Sequence, residues 1–365
     1  MGMIQKIALT LIKNVGHVTA KALLGHFGSP ERIFEASKEQ LMEVPGVGQL
    51  TAREILNRSS FRTAEQQIAF VERNGVRVLF YTDEDYPKRL RNCDDAPVLL
   101  YYKGNANLNR PRMISVVGTR NATEYGRQIC RELAVALAPY DATIVSGMAY
   151  GIDIAAHQES LNAHVPTIGV LAHGLDRIYP SGHFGVAQKM IADGGLITEF
   201  PLFTSPEKEN FPKRNRIIAG MTDATIVVEA AAKGGALITA DIANSYARDV
   251  YAFPGRTTDR SSAGCNFLIK TNQAGLISCA EDLIHNLGWE PTRSVETAKG
   301  TQVQLPLDLL PEEQSLMRCL ARGALDIDQI ALEIALPQSK IVLHLLNLEM
   351  NGLITALPGK SYRIS

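Results

Sequence analysis

No stretch of this 365-residue chain approaches the ~20 consecutive apolar residues that a membrane-spanning helix needs. The opening segment, MGMIQKIALTLIKNVG, reaches Lys13 too soon to supply the apolar core and cleavage site of a secretory signal. A cytoplasmic protein with no membrane partner is expected. The five cysteines, Cys93, Cys130, Cys265, Cys279 and Cys319, are odd in number, scattered and never spaced CxxC. That pattern argues against a disulfide framework and a zinc site, and it leaves them as reduced packing residues. The dinucleotide fingerprint GxGxxG is absent, and so is the phosphate-binding loop GxxxxGK[ST]. No metal or cofactor is therefore expected. An excess of either charge is also lacking: the formal net value is -1, so any affinity for a polyanion must come from a local basic patch.

What the chain does have is 45% hydrophobic residues, enough for one sizeable core with smaller satellite domains. Residues 1–60 carry two similar helix-turn-helix units, Lys13 to Phe27 (KNVGHVTAKALLGHF) and Glu43 to Leu56 (EVPGVGQLTAREIL). In the second, Pro45-Gly46-Val47-Gly48 reads as a tight hairpin, with Ala52, Ile55 and Leu56 on the apolar face of the following helix. The pattern resembles a helix-hairpin-helix, or SAM-like, motif, in which Gly46 and Gly48 let backbone N–H groups approach a DNA phosphate. A small helical packing domain fits the same residues equally well.

From Val76 the period changes to short β-branched runs alternating with amphipathic helices. The expected strands are Val76 to Phe80, Val98 to Tyr101, Ile114 to Val117, Thr143 to Ser146, Thr167 to Leu171, Leu196 to Thr198, Thr225 to Glu229, Val250 to Phe253 and Leu276 to Ser278. A helix over Glu124 to Ala138 aligns Ile129, Leu133 and Leu137 on one face. Residues 61–287 thus read as an α/β domain, an extended Rossmann-like, doubly wound and mostly parallel sheet. Its ligand belongs at the carboxyl ends of the strands. Residues 288–307 lack apolar periodicity and read as a linker. In residues 308–365, Glu313 to Ala321, Ile327 to Ile334 and Ser339 to Met350 read as helices, and Gly352 to Ile364 as a two-stranded wing. This is the pattern of a winged helix.

Several strand-to-helix loops carry chemistry. Gly118, Thr119 and Arg120 follow a strand directly, where backbone N–H groups and a bidentate guanidinium can meet one phosphate. Ser146 to Asp153 (SGMAYGID) holds small residues that permit close approach, and His157 lies one helical turn beyond Asp153, spaced to pair with it as a structural acid and imidazole. In Lys208 to Arg216 (KENFPKRNR), Pro212 suits the first helical position, which crowds Lys213, Arg214 and Arg216 onto a helix N-terminus. That placement opposes the macrodipole by ~0.3–1 kcal/mol per charge, and a phosphate backbone would reverse the sign. Phe211 beside them offers a face for a stacked base. Gly234 and Gly235 form another turn open to an anion, and Arg256 lies on a further loop of the same sheet edge.

Taken together, VVGTR (Val116 to Arg120), SGMAYGIDIAAH (Ser146 to His157), HGLDRIYP (His173 to Pro180), NFPKRNRIIAG (Asn210 to Gly220) and GGALITA (Gly234 to Ala240) resemble the DNA-processing protein A (DprA/Smf) family. The likeness runs from Tyr81 to about Leu287. It implies an extended Rossmann fold that binds single-stranded DNA, works as a homodimer and helps load the RecA recombinase during natural transformation. Matched by motif, it points to Arg120, Lys208, Phe211, Arg214 and Arg216, with Lys213, Asn215, Gly234 and Gly235 beside them, and with Gly118 and Thr119 shaping the first phosphate pocket.

The C-terminal segment sets Arg318, Arg322, Lys340, Lys360 and Arg363 against Asp308, Glu312, Glu313, Asp326, Asp328, Glu333 and Glu349. It is net acidic, and its recognition helix offers only Lys340 and His344 as readers, which favours protein contact or packing over groove binding. An adaptor is one rival reading. Another is a phosphoribohydrolase-like enzyme with Glu229 as its acid, but that residue lacks the Pro-Gly-Gly-x-Gly-Thr context and any nucleophile-base spacing. No catalytic residue is assigned.

Overall fold

The computed structural model describes residues 2–291, 309–321, 323–334, 336, 338–357 and 361–364. The chain forms two compact units, Met1–Arg293 and Ser294–Ser365. Most of the expected linker, from residue 292 onward, lies outside the described residues.

In the first unit the nine expected strands all form, as β1 (Arg77–Phe80), β2 (Leu99–Gly104), β3 (Met113–Val117), β4 (Thr143–Ser146), β5 (Thr167–Val170), β6 (Gly195–Thr198), β7 (Ala224–Val227), β8 (Asp249–Ala252) and β9 (Gly275–Leu276). They make one sheet of order β1-β2-β6-β5-β4-β3-β7-β8-β9. The pairs from β6 through β9 are parallel, whereas β2 runs antiparallel to β6 and β1 to β2. From β3 the chain winds one way to β6 and then returns to place β7 on the other side of β3. The crevice at that reversal is where an open α/β sheet holds its ligand.

Alternation along each strand feeds two layers. Met113, Val117, Val145, Ile168, Val170, Ile197 and Val227 face a core closed by α11 (Asn210–Gly220) and α12 (Gly235–Ser245). Ile114, Val116, Ile144, Ile226 and Val228 face α8 (Glu124–Leu137), α9 (Ile152–Asn162) and α14 (Ala280–Asn286). Covered on both faces, these strands are buried along their whole length, and Ser115, Thr143, Ser146, Thr167 and Thr225 are polar exceptions in otherwise apolar runs. Helix α7 (Lys88–Arg91) adds Leu90 to the first core, α10 (Phe184–Asp193) packs Ala187 and Met190 beside β5 and β6, and α13 (Ala263–Lys270) adds Cys265 and Leu268.

Six helices precede the sheet: α1 (Met3–Leu11), α2 (His17–Phe27), α3 (Pro30–Glu35), α4 (Lys38–Met42), α5 (Gln49–Leu56) and α6 (Phe61–Arg73). Two of their starts are set locally. Ser29 caps α3 with Pro30 at its first position, and Ser37 and Gln40 form a reciprocal capping box on α4. Ile7, Leu23, Ile33, Leu41 and Ile55 share one core with Phe80, Leu99 and Tyr101, so the helices cover the antiparallel edge of the sheet. Leu56 departs from expectation. It is 38% exposed, and Thr51 takes the buried place one helical turn before Ile55.

The second unit holds α15 (Pro311–Leu320), α16 (Ile327–Ile334) and α17 (Gln338–Met350) with the wing β11 (Ile354–Leu357) and β12 (Ser361–Ile364), close to the expected winged helix. A two-residue strand, β10 (Leu325–Asp326), was not legible and joins the wing as β10-β12-β11. Leu316, Leu320, Ile330, Ile341, Leu345 and Leu348 form its core.

Leu133 on α8 is fully buried between that helix and the sheet. Leu133→Ala is expected to cost about 2–5 kcal/mol, read as a lower urea midpoint with an unchanged slope.

Candidate nucleic-acid interface

The crevice is built from turns whose glycines are sterically required. A Cβ on Gly118 would lie 2.4 Å from Ile152 Cγ1 and 2.9 Å from the Glu229 carbonyl oxygen. Gly151, at φ +82°, would place a Cβ 2.1 Å from the Thr119 carbonyl oxygen. The loop after β3 is thereby clamped between the end of β7 and the start of α9. Thr119 N–H donates to the Glu229 carbonyl at 2.7 Å, and Ile152 N–H donates to the Thr119 carbonyl at 3.1 Å. The Thr119 N–H is thus committed within the protein, which corrects the expectation that this turn offers it to a phosphate. Arg120 remains exposed, with its guanidinium 5.5 Å from the centre of the Phe211 ring.

The Glu229 carboxylate is 2% exposed and accepts from both the backbone N–H (2.9 Å) and the hydroxyl (2.6 Å) of Thr123, the N-cap of α8. It joins β7 to the start of α8, a positioning task. The paired reading of Asp153 and His157 also needs correction. His157 meets the Gly147 carbonyl through Nε2 and the Thr167 hydroxyl through Nδ1, each at 2.7 Å. A carbonyl only accepts, so Nε2 carries the proton and Nδ1 takes the threonine hydroxyl. Burial depresses this imidazole to about 4, which keeps it neutral.

Asp153 instead faces Arg214. A Cβ on Gly147 would meet Asp153 Oδ2 at 2.3 Å and both terminal nitrogens of Arg214 at 2.6 Å, so the glycine makes room for the two charges. Burial pushes the Asp153 carboxyl up, with Arg214 the first opposing influence. Burial likewise pulls the Arg214 guanidinium down, and Asp153 opposes it. Arg214 also donates to the Val170 carbonyl at the end of β5 and, through Nε, to Asn215 Oδ1 at 3.2 Å.

Helix α11 begins at Asn210, two residues before the expected start, so Pro212 occupies its third position. Its periodicity then separates the cations that the sequence had crowded together. Phe211, Arg214, Asn215 and Ile218 turn to the crevice. Lys213 is exposed, and Arg216 pairs with Glu199 and the Asp95 carbonyl; Lys213, Arg216 and Glu199 line a separate cavity with Gly16 and His17. The macrodipole argument is revised accordingly: Asp153 and Glu199 each answer one arginine.

Two contiguous cavities result. The first, about 350 Å³, is lined by Gly118, Thr119, Arg120, Asp153, Arg214, Lys233, Gly234 and Gly235, and the uncapped N-terminus of α12 opens into it. The second, about 560 Å³, is lined by Arg120, Tyr150, His173, Tyr179, Lys208, Phe211 and Asn215. Nine of the expected residues therefore gather at one sheet edge. Lys213 and Arg216 do not line these two cavities, and neither do Gly46 and Gly48 in the helical region, where Gly46 adopts φ +85° and Gly48 caps α5. Lys233, Tyr150, Tyr179 and His173 were missed. All four stood inside or beside quoted segments, but nothing local marks them as cavity lining.

The fold and crevice define a class: an extended Rossmann-like protein whose ligand edge carries cations and aromatic rings where a dinucleotide binder carries its fingerprint. The chain belongs to the family described as DNA recombination-mediator protein A, whose model matches residues 77–288. A SAM-like helix-hairpin-helix tandem matches residues 6–58 and a DprA winged helix domain residues 301–360. Protein Smf of Synechocystis sp. is 33% identical across 98% of this chain and 97% of its own. The DNA processing protein DprA of Bacillus subtilis is 37% identical across 63% of this chain and 76% of its own. Among solved structures, DprA of Streptococcus pneumoniae superposes with a TM-score of 0.65 at 30% identity, covering 79% of this chain and 97% of that one. DprA of Helicobacter pylori, described as having a unique single-stranded DNA binding mode, gives 0.54 at 31% identity over 59% and 97%.

Two tests follow from the buried groups. Asp153→Ala leaves Arg214 buried without its countercharge and is expected to cost about 3–5 kcal/mol in urea unfolding. For His157 the folded pKa lies below the ordinary 6.5, so the unfolded chain takes up its proton first as the pH falls. Stability is expected to decline between pH 6.5 and about 4, by up to ~1.4 kcal/mol per unit, with a shallower decline in His157→Gln.

Proposed function

We propose that this protein binds single-stranded DNA along the crevice, without reading sequence, and so protects strands in recombination or transformation. The observation that carries the reading is the joining of Arg120, Lys208 and Lys233 to the Phe211 ring at the carboxyl edge of the sheet. Cations track a phosphate backbone and aromatic faces accept any base, so neither contact encodes sequence. The single-strand binding described for the Helicobacter pylori relative supports it. In this reading Gly118, Thr119, Gly234 and Gly235 shape the phosphate site, Arg214 and Asn215 hold it in place, and Lys213 and Arg216 stand outside it.

A binding role is favoured over phosphoribohydrolase-like catalysis because the Glu229 carboxylate is committed to Thr123. Delivery of the strand to RecA fits the family's description as a recombination mediator, and assembly as a homodimer and a cytoplasmic location complete the reading. Among the described residues no helix is long and apolar enough to cross a membrane. A role in protein contact for the winged helix is a second reading. Its recognition helix α17 exposes Val342, Leu343, Leu346 and Met350, an apolar face unsuited to a DNA groove.

Arg120→Ala and Lys208→Ala are each expected to weaken oligothymidine binding by about tenfold, the scale of one charge-assisted hydrogen bond. Each is also expected to reduce the slope of log affinity against log salt by about 0.7 for every phosphate no longer neutralised. Fluorescence anisotropy across a salt series measures both. Unchanged affinity in both variants sinks the site.

A further inference from the structure

Lys208 can serve a phosphate only if its loop is held to one side. It stands between Glu207 and Glu209, one cation between two anions, all three exposed. On a loop free to turn, the two carboxylates would cancel its attraction for a phosphate. Pro206 and Lys208 line the larger cavity, whereas the two glutamates do not. Such sidedness has to be imposed on residues 199–209, which join β6 to α11.

Two side chains from separate elements impose it. Leu202 N–H donates to Gln67 Oε1 at 2.9 Å, and Phe203 N–H donates to Asp176 Oδ1 at 2.8 Å. Gln67 lies on α6 and is buried, and Asp176 lies in the loop after β5. Phe203 sits at φ +66° and is 67% exposed, so its strained backbone buries little in return. Such conformations persist only where the surroundings over-determine them, and they collect in loops that handle a ligand. The surroundings here are close: a Cβ on Gly174 would stand 2.5 Å from Asp176 Oδ1 and 2.6 Å from the Pro201 carbonyl oxygen. Leu175, between Gly174 and Asp176, packs on the core of the six N-terminal helices. From this anchor further hydrogen bonds run on toward α11. The Thr204 hydroxyl donates to the Pro201 carbonyl at 2.7 Å, and Glu207 N–H donates to the Ser205 carbonyl at 2.9 Å. Asn210 donates through Nδ2 to the Ser205 carbonyl at 3.2 Å and through its N–H to the Glu207 carbonyl at 3.1 Å. Lys208 is thus held between two fixed points.

We propose that Gln67 and Asp176 are positioning residues for strand binding: they lock the loop before α11 so that Lys208 faces the crevice and its neighbouring glutamates do not. Through Gln67 the helical region then sets the affinity of a crevice that none of its own residues lines. The inference rests on the single-strand reading above. Neither Gln67 nor Asp176 lines the two cavities, so each acts through the loop and not by touching the strand.

The test is a double-mutant cycle on the full chain, read by fluorescence anisotropy with oligothymidine across a salt series. Gln67→Met keeps length and bulk while removing the acceptor for Leu202, and Asp176→Ala removes the acceptor for Phe203. Each is expected to weaken binding by about tenfold, the loss expected from Lys208→Ala itself. Each is also expected to lower the salt slope by about 0.7, since one phosphate is no longer neutralised. Combined with Lys208→Ala, neither is expected to weaken binding further, because the lysine is already displaced. Independent sites would instead multiply to about a hundredfold. Asp176→Asn keeps the acceptor and is expected to restore affinity and slope. If Gln67→Met does not fold, the two Asp176 variants carry the same comparison. Multiplied losses in the double variants, or wild-type affinity in folded Gln67→Met and Asp176→Ala, overturn the positioning role and leave the crevice standing. Failure of the wild type to bind oligothymidine overturns the DNA reading itself.

Discussion

A guanidinium buried at the carboxyl edge of a parallel sheet holds this crevice in shape. Arg214 is 4% exposed, and taking such a charge out of water costs several kcal/mol unless partners replace the solvent. Here Asp153 from the start of α9, the Val170 carbonyl at the end of β5 and Asn215 beside it on α11 do so. Those partners come from three separate elements. Satisfying one charge therefore fixes α11 against the end of β5 and the start of α9, and Gly147 is the residue whose missing side chain leaves room for Arg214 beside Asp153. Phe211, three residues earlier on the same helix, is then aimed into the crevice by the same constraint.

Arg216 repeats the device on the opposite side of α11, where Glu199 and the Asp95 carbonyl hold it toward the helices that cover the sheet edge. Two arginines two residues apart point about 200° apart on a helix, so each ties α11 to different neighbours. Bracing from both sides suits a helix that presents Phe211 to the crevice from its first turn, where fraying is otherwise easiest.

The sheet was legible because its strands are short, β-branched and buried on both faces, and all nine appear within a few residues of their expected bounds. The glycine turns were legible for a steric reason, since only glycine leaves the space that a close approach needs. The start of α11 was read two residues late because proline at the third helical position is tolerated as well as at the first: neither N–H has an intrahelical acceptor. The partners of the cations were not legible at all. Glu199 lies 17 residues from Arg216 and Asp95 lies 121 away, and only the fold brings them together. The same holds for Tyr179, which no local pattern distinguishes from a packing aromatic.

Those pairings change the electrostatic meaning of the basic segment. With Arg214 answered by Asp153 and Arg216 by Glu199, the field at the crevice comes chiefly from the exposed Arg120, Lys208 and Lys233 and from the N-terminus of α12. Around three cations on a chain of net charge -1 release few counterions, which limits both long-range attraction and the affinity that phosphate contacts alone can supply. Stacking is short-ranged and insensitive to salt, so it can supply what charge does not. In the proposed reading, a crevice whose buried arginine is occupied in holding it together relies on its aromatic walls, and Phe211, with Arg120 over its ring, stands where the two kinds of contact meet.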